Sequence, residues 1–286
     1  MRVFLSALAL SMLVFTGCIR TIAVSTVGGI VDDGFEAFTE EPDLAFAEQA
    51  LPANMKLLDV MLKSDPTNER MLRLASEAYS SYALAFLEDS NQVRAREFYR
   101  RGREYGLRIL REDGEFARAL EGTLDDLKSV LAARGIKEVP AVFWAAFGWG
   151  SEISLSLTNP DAIGDLPRAE AMMEFVTRHD STYYFAGADV FLGTLYGSRP
   201  RILGGNLDKS RAHFEKALRI NRGDFLMTYV YYARSVAVQS QDEALFDELL
   251  GKVLKAPADV LPAARLANQV ARKKAQLLLA KKPDLF

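Results

Sequence analysis

The sequence predicts an all-α chain, a curved array of about eleven helices paired into stacked hairpins. Three observations predict it. Apolar residues recur at helical spacing from Pro42 almost to the C-terminus. No alternating apolar run bounded by hairpin turns interrupts them. A quartet of a large, an apolar, a small and a second large position recurs along the chain. It reads Trp144/Phe147/Gly148/Ser151, Asp189/Leu192/Gly193/Tyr196 and Tyr229/Tyr232/Ala233/Val236, and more weakly Leu72/Ala75/Ser76/Tyr79. The small residue lets the two helices of a hairpin approach closely.

The chain opens MRVFLSALALSMLVFTGC. Arg2 is a minimal positive n-region. Residues 3–15 form an apolar stretch of signal length, shorter than the ~20 residues that span a bilayer. Phe15-Thr16-Gly17-Cys18 resembles a bacterial lipobox, and Cys18 is the one cysteine of the sequence. The resemblance implies cleavage after Gly17, a diacylated Cys18 and a body tethered to a membrane by its N-terminus. The competing reading is a lone buried cysteine after an ordinary signal or a single anchor helix. Residues 1–17 are thus expected to be a leader, 18–42 a lipidated tether and 43–286 the helical domain. Ile19, Ile22, Ala23, Ile30, Val31, Phe35 and Phe38 give the tether an amphipathic pattern, broken by Gly28-Gly29. Ile22, Ile30, Phe35 and Phe38 are candidates for a contact with a partner chain, or are covered within the protomer.

Asp43 caps a first helix through residue 63, with Ala47, Leu51, Met55, Leu58 and Leu62 on its inner side, and Asp65-Pro66 ends it. Helices follow over 69–87, 92–111 and 115–133, the last stopping at Arg134-Gly135. Pro140 opens a fifth, which ends before Asn159-Pro160, and a sixth covers 167–178. The seventh starts at Tyr183 and breaks at Gly197-Ser198-Arg199-Pro200 and Gly204-Gly205-Asn206. Asp208 is the candidate cap of the eighth. The ninth starts at Gly223-Asp224, the tenth covers 244–254 and ends at Pro257, and the last runs from Pro262 toward Lys281. The small positions 148, 193 and 233 lie 45 and 40 residues apart, longer than the about 34 of a tetratricopeptide repeat. The excess sits in loops, notably 197–206. Second helices carry Ala95/Tyr99, Ala169/Met172 and Ser210/Phe214/Ala217. The pattern is that of cryptic tetratricopeptide-like repeats.

With 286 residues, 49% of them hydrophobic, the chain can bury a sizeable core. Charge is nearly balanced, with 35 Lys+Arg against 38 Asp+Glu, so nothing argues for nucleic acid. A single cysteine excludes an intramolecular disulfide and a thiolate metal cluster. His179 and His213 do not make a metalloprotease spacing, and each reads as a partly buried or surface histidine. Glu121, Asp125 and Asp126 read as a solvated helix face. Gly28-Gly29 and Gly204-Gly205 lack the Gly-Lys-Ser/Thr of a phosphate loop. Ser151 and Ser154 lack a base at recognisable spacing. No enzyme, cofactor or metal site emerges.

Recognition chemistry remains. Trp144 and Phe147 share a helix side, and Trp149 stands about 140° from Trp144 at ~100° per residue, toward a groove. Tyr183, Tyr184, Tyr196, Tyr229, Tyr231 and Tyr232 add aromatic surface near the later first helices. An apolar cavity with a few polar groups suits a small amphipathic ligand, whereas plain core packing is the competing reading for each ring. Arg199 and Arg201 flank Pro200 in a loop. They pair with carboxylates of a neighbouring repeat, bind a carboxylate ligand or grip a partner, and the first is preferred.

Five stretches resemble the TatT-type component associated with tripartite ATP-independent periplasmic (TRAP) transporters. They are FAEQALPANMKLLDVMLKSDPTNERML, SSYALAFLEDSNQVRAREFYRRGREYGLRIL, VPAVFWAAFGWGSEISLSL, GTLYGSRPRILGGNLDKSRAHFEKAL and LANQVARKKAQLLLAKKPDLF. FWAAFGWG and RPRILGGN are the most specific. The resemblance implies a lipid-anchored periplasmic protein that assembles as a homotrimer, has a pore or cleft through each protomer, and docks to the solute-binding P component of a TRAP transporter. The candidates for ligand or partner contact are Trp144, Phe147, Trp149, Tyr196, Arg199 and Arg201. A lipid-anchored scaffold for envelope assembly, with no small ligand, is the alternative.

Overall fold

The computed structural model describes residues 34–156 and 160–286, and every regular element among them is a helix. The leader, the lipobox and most of the tether, with Cys18, Ile22 and Ile30, lie outside the described residues. Residues 34–39 form a short helix.

Helix α1 (Leu44–Ser64) is capped by Asp43, whose carboxylate accepts the N–H groups of Ala45 and Phe46. It buries the five residues expected, Ala47, Leu51, Met55, Leu58 and Leu62. α2 (Glu69–Tyr82) is capped by Asn68 and runs on as a π-helical turn over Ala83–Leu87. α3 (Gln92–Arg111) is capped by Asn91. The single helix expected over 115–133 is two, α4 (Gly114–Glu121) and α5 (Leu124–Ala132). Gly122 is extended, and Thr123 opens a new capping box with Asp126, so an acid expected on a plain solvated face secures a helix start.

α6 (Val139–Ser154) and α7 (Leu166–His179) flank the short turn Pro160–Gly164. α8 (Tyr183–Gly197) leads through a loop to α9 (Leu207–Ile220). The cap of α9 is Asn206, which accepts the Lys209 N–H at 2.9 Å, rather than the expected Asp208, which lies inside the first turn. α10 (Met227–Tyr232) starts later than the sequence suggests, because Arg222 and Gly223 both have positive φ. It continues as a second π-helical turn, Ala233–Ala237. α11 (Glu243–Lys255) and α12 (Arg265–Ala280) complete the array.

The small quartet positions sit where helices cross. Ser76 is fully buried and its hydroxyl donates to Gly102 O on α3 at 2.7 Å. A Cβ on Gly148 would stand 2.7 Å from Arg103 N and 2.9 Å from Tyr99 O, so α6 rests on the α3 backbone. A Cβ on Gly193 would meet the Phe214 ring at 3.0 Å, and Ala233 is wholly buried. Two apolar clusters result, one around Trp144, Met172 and Phe175 and one around Phe214, Val236 and Phe246.

In this array the last long helix lies against the first and against the segment that follows α2. Lys274 on α12 reaches Asp89 at 2.6 Å, and Arg234 reaches Glu88 at 3.2 Å. Arg265 donates to Glu40 O at 2.8 Å.

The crossing geometry makes opposite predictions for two helical glycines. Gly148→Ala is expected to destabilise by about 1–3 kcal/mol, because the contacting atoms are backbone and cannot yield. Gly251→Ala on α11, where a Cβ would meet nothing within 4 Å, is expected to stabilise by up to about 1 kcal/mol. Urea unfolding of the two variants checks both signs.

Candidate functional site

The stretch FWAAFGWG is apolar all round, and α6 is accordingly buried on most sides. Trp144 is 1% exposed, with Phe143 edge-on at 5.0 Å and Phe147 at 5.7 Å. Phe147 is half-buried against the same cluster. Trp149, expected toward a groove, is buried instead, with the Arg103 guanidinium 5.6 Å above its ring. Packing between neighbouring helices leaves α6 little free face.

The junction beside α6 is shaped by an unusual backbone. Tyr184, Phe185 and Ala186 have φ values of 47°, 58° and 64°. Each left-handed non-glycine residue costs roughly 1–2 kcal/mol, so local propensity opposes this turn. Tertiary contacts hold it. Asn221 Nδ2 donates to Phe185 O at 3.2 Å and to Thr228 Oγ1 at 3.1 Å. The turn fans out three rings. Tyr183 meets Phe143 at 5.2 Å, Tyr184 meets Trp144 edge-on at 4.7 Å, and Phe185 stacks on Phe225 at 5.0 Å. Tyr184 packs against both apolar clusters.

Tyr183 and Tyr184 keep partial solvent access. Burial, reinforced by the Glu77 carboxylate, pushes the Tyr183 phenol up to about 12 and Tyr184 further in the same direction. Both remain hydrogen-bond donors at neutral pH. Glu77 on α2 is 8% exposed and lies 3.9 Å from Arg73. The Trp144 indole N–H is buried without a well-aligned acceptor, beside the Tyr183 phenol.

A polar chain links α7, α8 and α9. Tyr196 is buried, and its hydroxyl donates to Glu170 Oε1 at 2.8 Å. Arg199 Nη2 donates to Glu170 Oε2 at 3.1 Å, and Nε to Leu195 O at 3.1 Å. Arg199 thus pairs with a carboxylate of the preceding helix. Arg201 is exposed, and its side chain makes no hydrogen bond or ion pair among the described residues. The Tyr196 ring stacks on His213, whose Nδ1 lies 2.8 Å from Asp189 Oδ1. Lys216 Nζ is 2.9 Å from Asp189 Oδ2. Asp189 is wholly buried, so its charge needs both partners.

Two depressions, of about 420 and 320 Å³, are lined by residues of α11 and of α1 and α3, and include none of Trp144, Phe147, Trp149 or Tyr196. Among the described residues no three His, Cys, Asp or Glu side chains group as metal ligands. No described helix is long and apolar enough to cross a membrane.

Residues 40–286 match the TRAP transporter T-component family. The chain belongs to that family. An uncharacterised protein of Treponema pallidum (strain Nichols) is 24% identical over 270 residues, covering 89% of this chain and 84% of the other. Membership associates the chain with a TRAP transporter, and hence with the cell envelope. The family is not known as catalytic.

In this T-component the array is closed by a cluster that sequence reasoning did not find. Glu88, buried just after the first π-helical turn, accepts the Tyr99 hydroxyl at 2.9 Å and Arg234 Nη1 at 3.2 Å. Lys274 Nζ lies 3.9 Å from Glu88 and 2.6 Å from Asp89. Arg234 itself sits on the second π-helical turn, and such turns are frequent at functional sites. No local signal marks this set, because Lys274 and Asp89, for example, lie 185 residues apart. Asp189 did carry a signal, as the one acid in the apolar run YYFAGADVFLG.

Glu88→Ala would leave the Tyr99 hydroxyl and the Arg234 guanidinium without their shared acceptor, and is expected to cost about 3 kcal/mol of stability. Arg199→Ala, at a partly solvated pair, is expected to cost about 1 kcal/mol. Denaturant unfolding of both variants gives the comparison, and equal costs would remove the closure cluster from its central place.

Proposed function

We propose that this T-component is a lipid-anchored periplasmic accessory, attached through Cys18 after removal of residues 1–17. It docks to the solute-binding P component of a TRAP transporter and holds a small organic-acid or hydrophobic ligand on its way to that component. The observation that carries the ligand role is the left-handed turn at Tyr184–Phe185–Ala186. Strain of this kind persists where the surroundings over-determine it, and it clusters at ligand clamps. Here it presents two partly accessible phenols beside aromatic rings and a few polar groups, Glu77 and Asn221 among them, the combination that orients an amphipathic molecule.

Assembly as a homotrimer is part of the same reading. Its support is the outer stripe of α1, where Phe46, Leu57 and Val60 are 57%, 49% and 58% exposed. With Ala53 they recur at spacings of seven, four and three residues, a seam suited to another helix. The terminal helix of a repeat array ordinarily carries a polar outer face.

Capture of the tagged mature protein from gently solubilised envelopes, followed by mass spectrometry, tests the partner. Enrichment of a TRAP-type solute-binding protein is expected, whereas recovery of envelope-assembly proteins alone would favour the scaffold alternative. Sedimentation velocity tests assembly. A trimer is expected, reduced to monomer by Leu57→Asp with Val60→Asp, and a monomeric wild type would refute it.

A further inference from the structure

The loop between α8 and α9 holds one side chain in an unusual position. Ile202 is 92% exposed, more than any other large apolar side chain described. It contributes nothing to either core, yet the backbone that carries it is tightly held. Asn206 N–H donates to Tyr196 O at 2.9 Å, and Gly205 N–H to Pro200 O at 3.1 Å. Gly204 adopts φ +84°, and a Cβ on Gly205 would fall 1.8 Å from Arg199 O, so neither position accepts a side chain. Arg199 fastens the loop to Glu170, and the Ser198 hydroxyl donates to Ser235 Oγ at 3.3 Å. The fold thus holds in place a feature that its own stability does not require.

The charge around Ile202 is one-sided. The loop sequence SRPRILGGN contains two arginines and no acid. Arg199 is neutralised by Glu170, whereas Arg201, next to Ile202, has no ion-pair partner among the described residues. On the first turn of α9, exposed Lys209 extends the positive field, its Nζ 5.3 Å from the Tyr196 ring. Exposed Asp208 is the acid nearest in sequence. An exposed apolar side chain next to the Arg201 cation, on a backbone held by its own hydrogen bonds, fits an apolar pocket with an acidic rim. Such pre-organised anchors contribute most per residue at protein interfaces, and the surrounding charge sets approach and register. A bilayer is a poorer match, because binding to lipid scales with buried apolar area and one isoleucine supplies little.

We infer that the Arg201–Ile202 turn is the docking knob by which this chain engages a partner protein, inserting Ile202 into an apolar pocket whose rim is acidic. The inference rests on the transport reading, which names that partner as the solute-binding P component.

The test is direct binding of the purified full-length chain to the purified P component of the same transporter, by calorimetry at low and physiological salt. Ile202→Asp is expected to weaken binding at least tenfold. Arg201→Glu is expected to weaken it at least as much at low salt, and Arg201→Lys to retain most of the affinity. Both sites are exposed, so circular dichroism melting should match wild type. Val93→Asp, at a 70% exposed apolar site on α3, serves as the control that should not affect binding. If wild type binds and both Ile202→Asp and Arg201→Glu bind equally well, the knob is refuted while the transport reading stands. If wild type does not bind the P component at all, the transport reading fails and takes the assigned partner with it. The inference is also overturned if Ile202→Asp leaves that affinity unchanged but abolishes self-association, or binding to phosphatidylglycerol vesicles.

Discussion

Close approach of helix backbones is the constraint on which this structure depends. α3 is pressed between α2 and α6, and the contact is made through positions without side-chain bulk. A Cβ on Gly106 would stand 2.8 Å from the Ala145 backbone, and one on Gly148 would meet Arg103 and Tyr99 at similar range. The Ser76 hydroxyl bonds directly to a carbonyl of α3. At such spacing, dispersion contacts run along the whole crossing and side chains interlock on either side of it. The bulky residues are thereby driven to the flanks, which is where Phe143, Trp144 and Phe147 assemble their aromatic cluster.

That packing makes the strained turn at Tyr184–Phe185–Ala186 tenable. Three left-handed residues in succession would unwind in an isolated peptide. Here the Tyr184 ring is packed against both cores, Phe185 and Ala186 against one, and Asn221 bonds the Phe185 carbonyl. The closure of the array is of a different physical kind. Glu88, Arg234, Lys274 and Asp89 join its two ends through buried and half-buried charge rather than apolar area. Ion pairs of this sort give little net stability against an apolar alternative, but losing one partner is costly, so they specify a geometry. These pairs tie α10 and α12 to the segment that follows α2. The loop carrying Arg201 and Ile202 takes no part in them.

Most of the helix plan was legible in the sequence, because helix starts and stops are local. Asp43, Asn91 and the Asp65-Pro66 break stand where backbone propensity alone requires them. The misread boundaries are equally instructive. Asn206 and Asp208 are both good caps, and the choice fell to Asn206 because the loop backbone returns to Tyr196 O at that residue. The 115–133 stretch looked continuous, since one Gly-Thr step is a weak break unless a capping box forms behind it. Arg199 was expected to need a carboxylate, but its identity as Glu170 could not be read from spacing. Trp149 illustrates the limit, since helical phase gives a direction but not whether a neighbour occupies it.

The sequence by itself determined the all-α class, the order of the helices, the small residues at their crossings and the family. The first three rest on spacing within one or two turns, and the family on stretches distributed along the chain. The tertiary structure alone decided the meeting of the two ends, the burial of Asp189 between His213 and Lys216, and the left-handed turn that fans out the tyrosines. Those features join residues far apart in the chain, or oppose local preference outright, and the energy that enforces them exists only once the helices have packed.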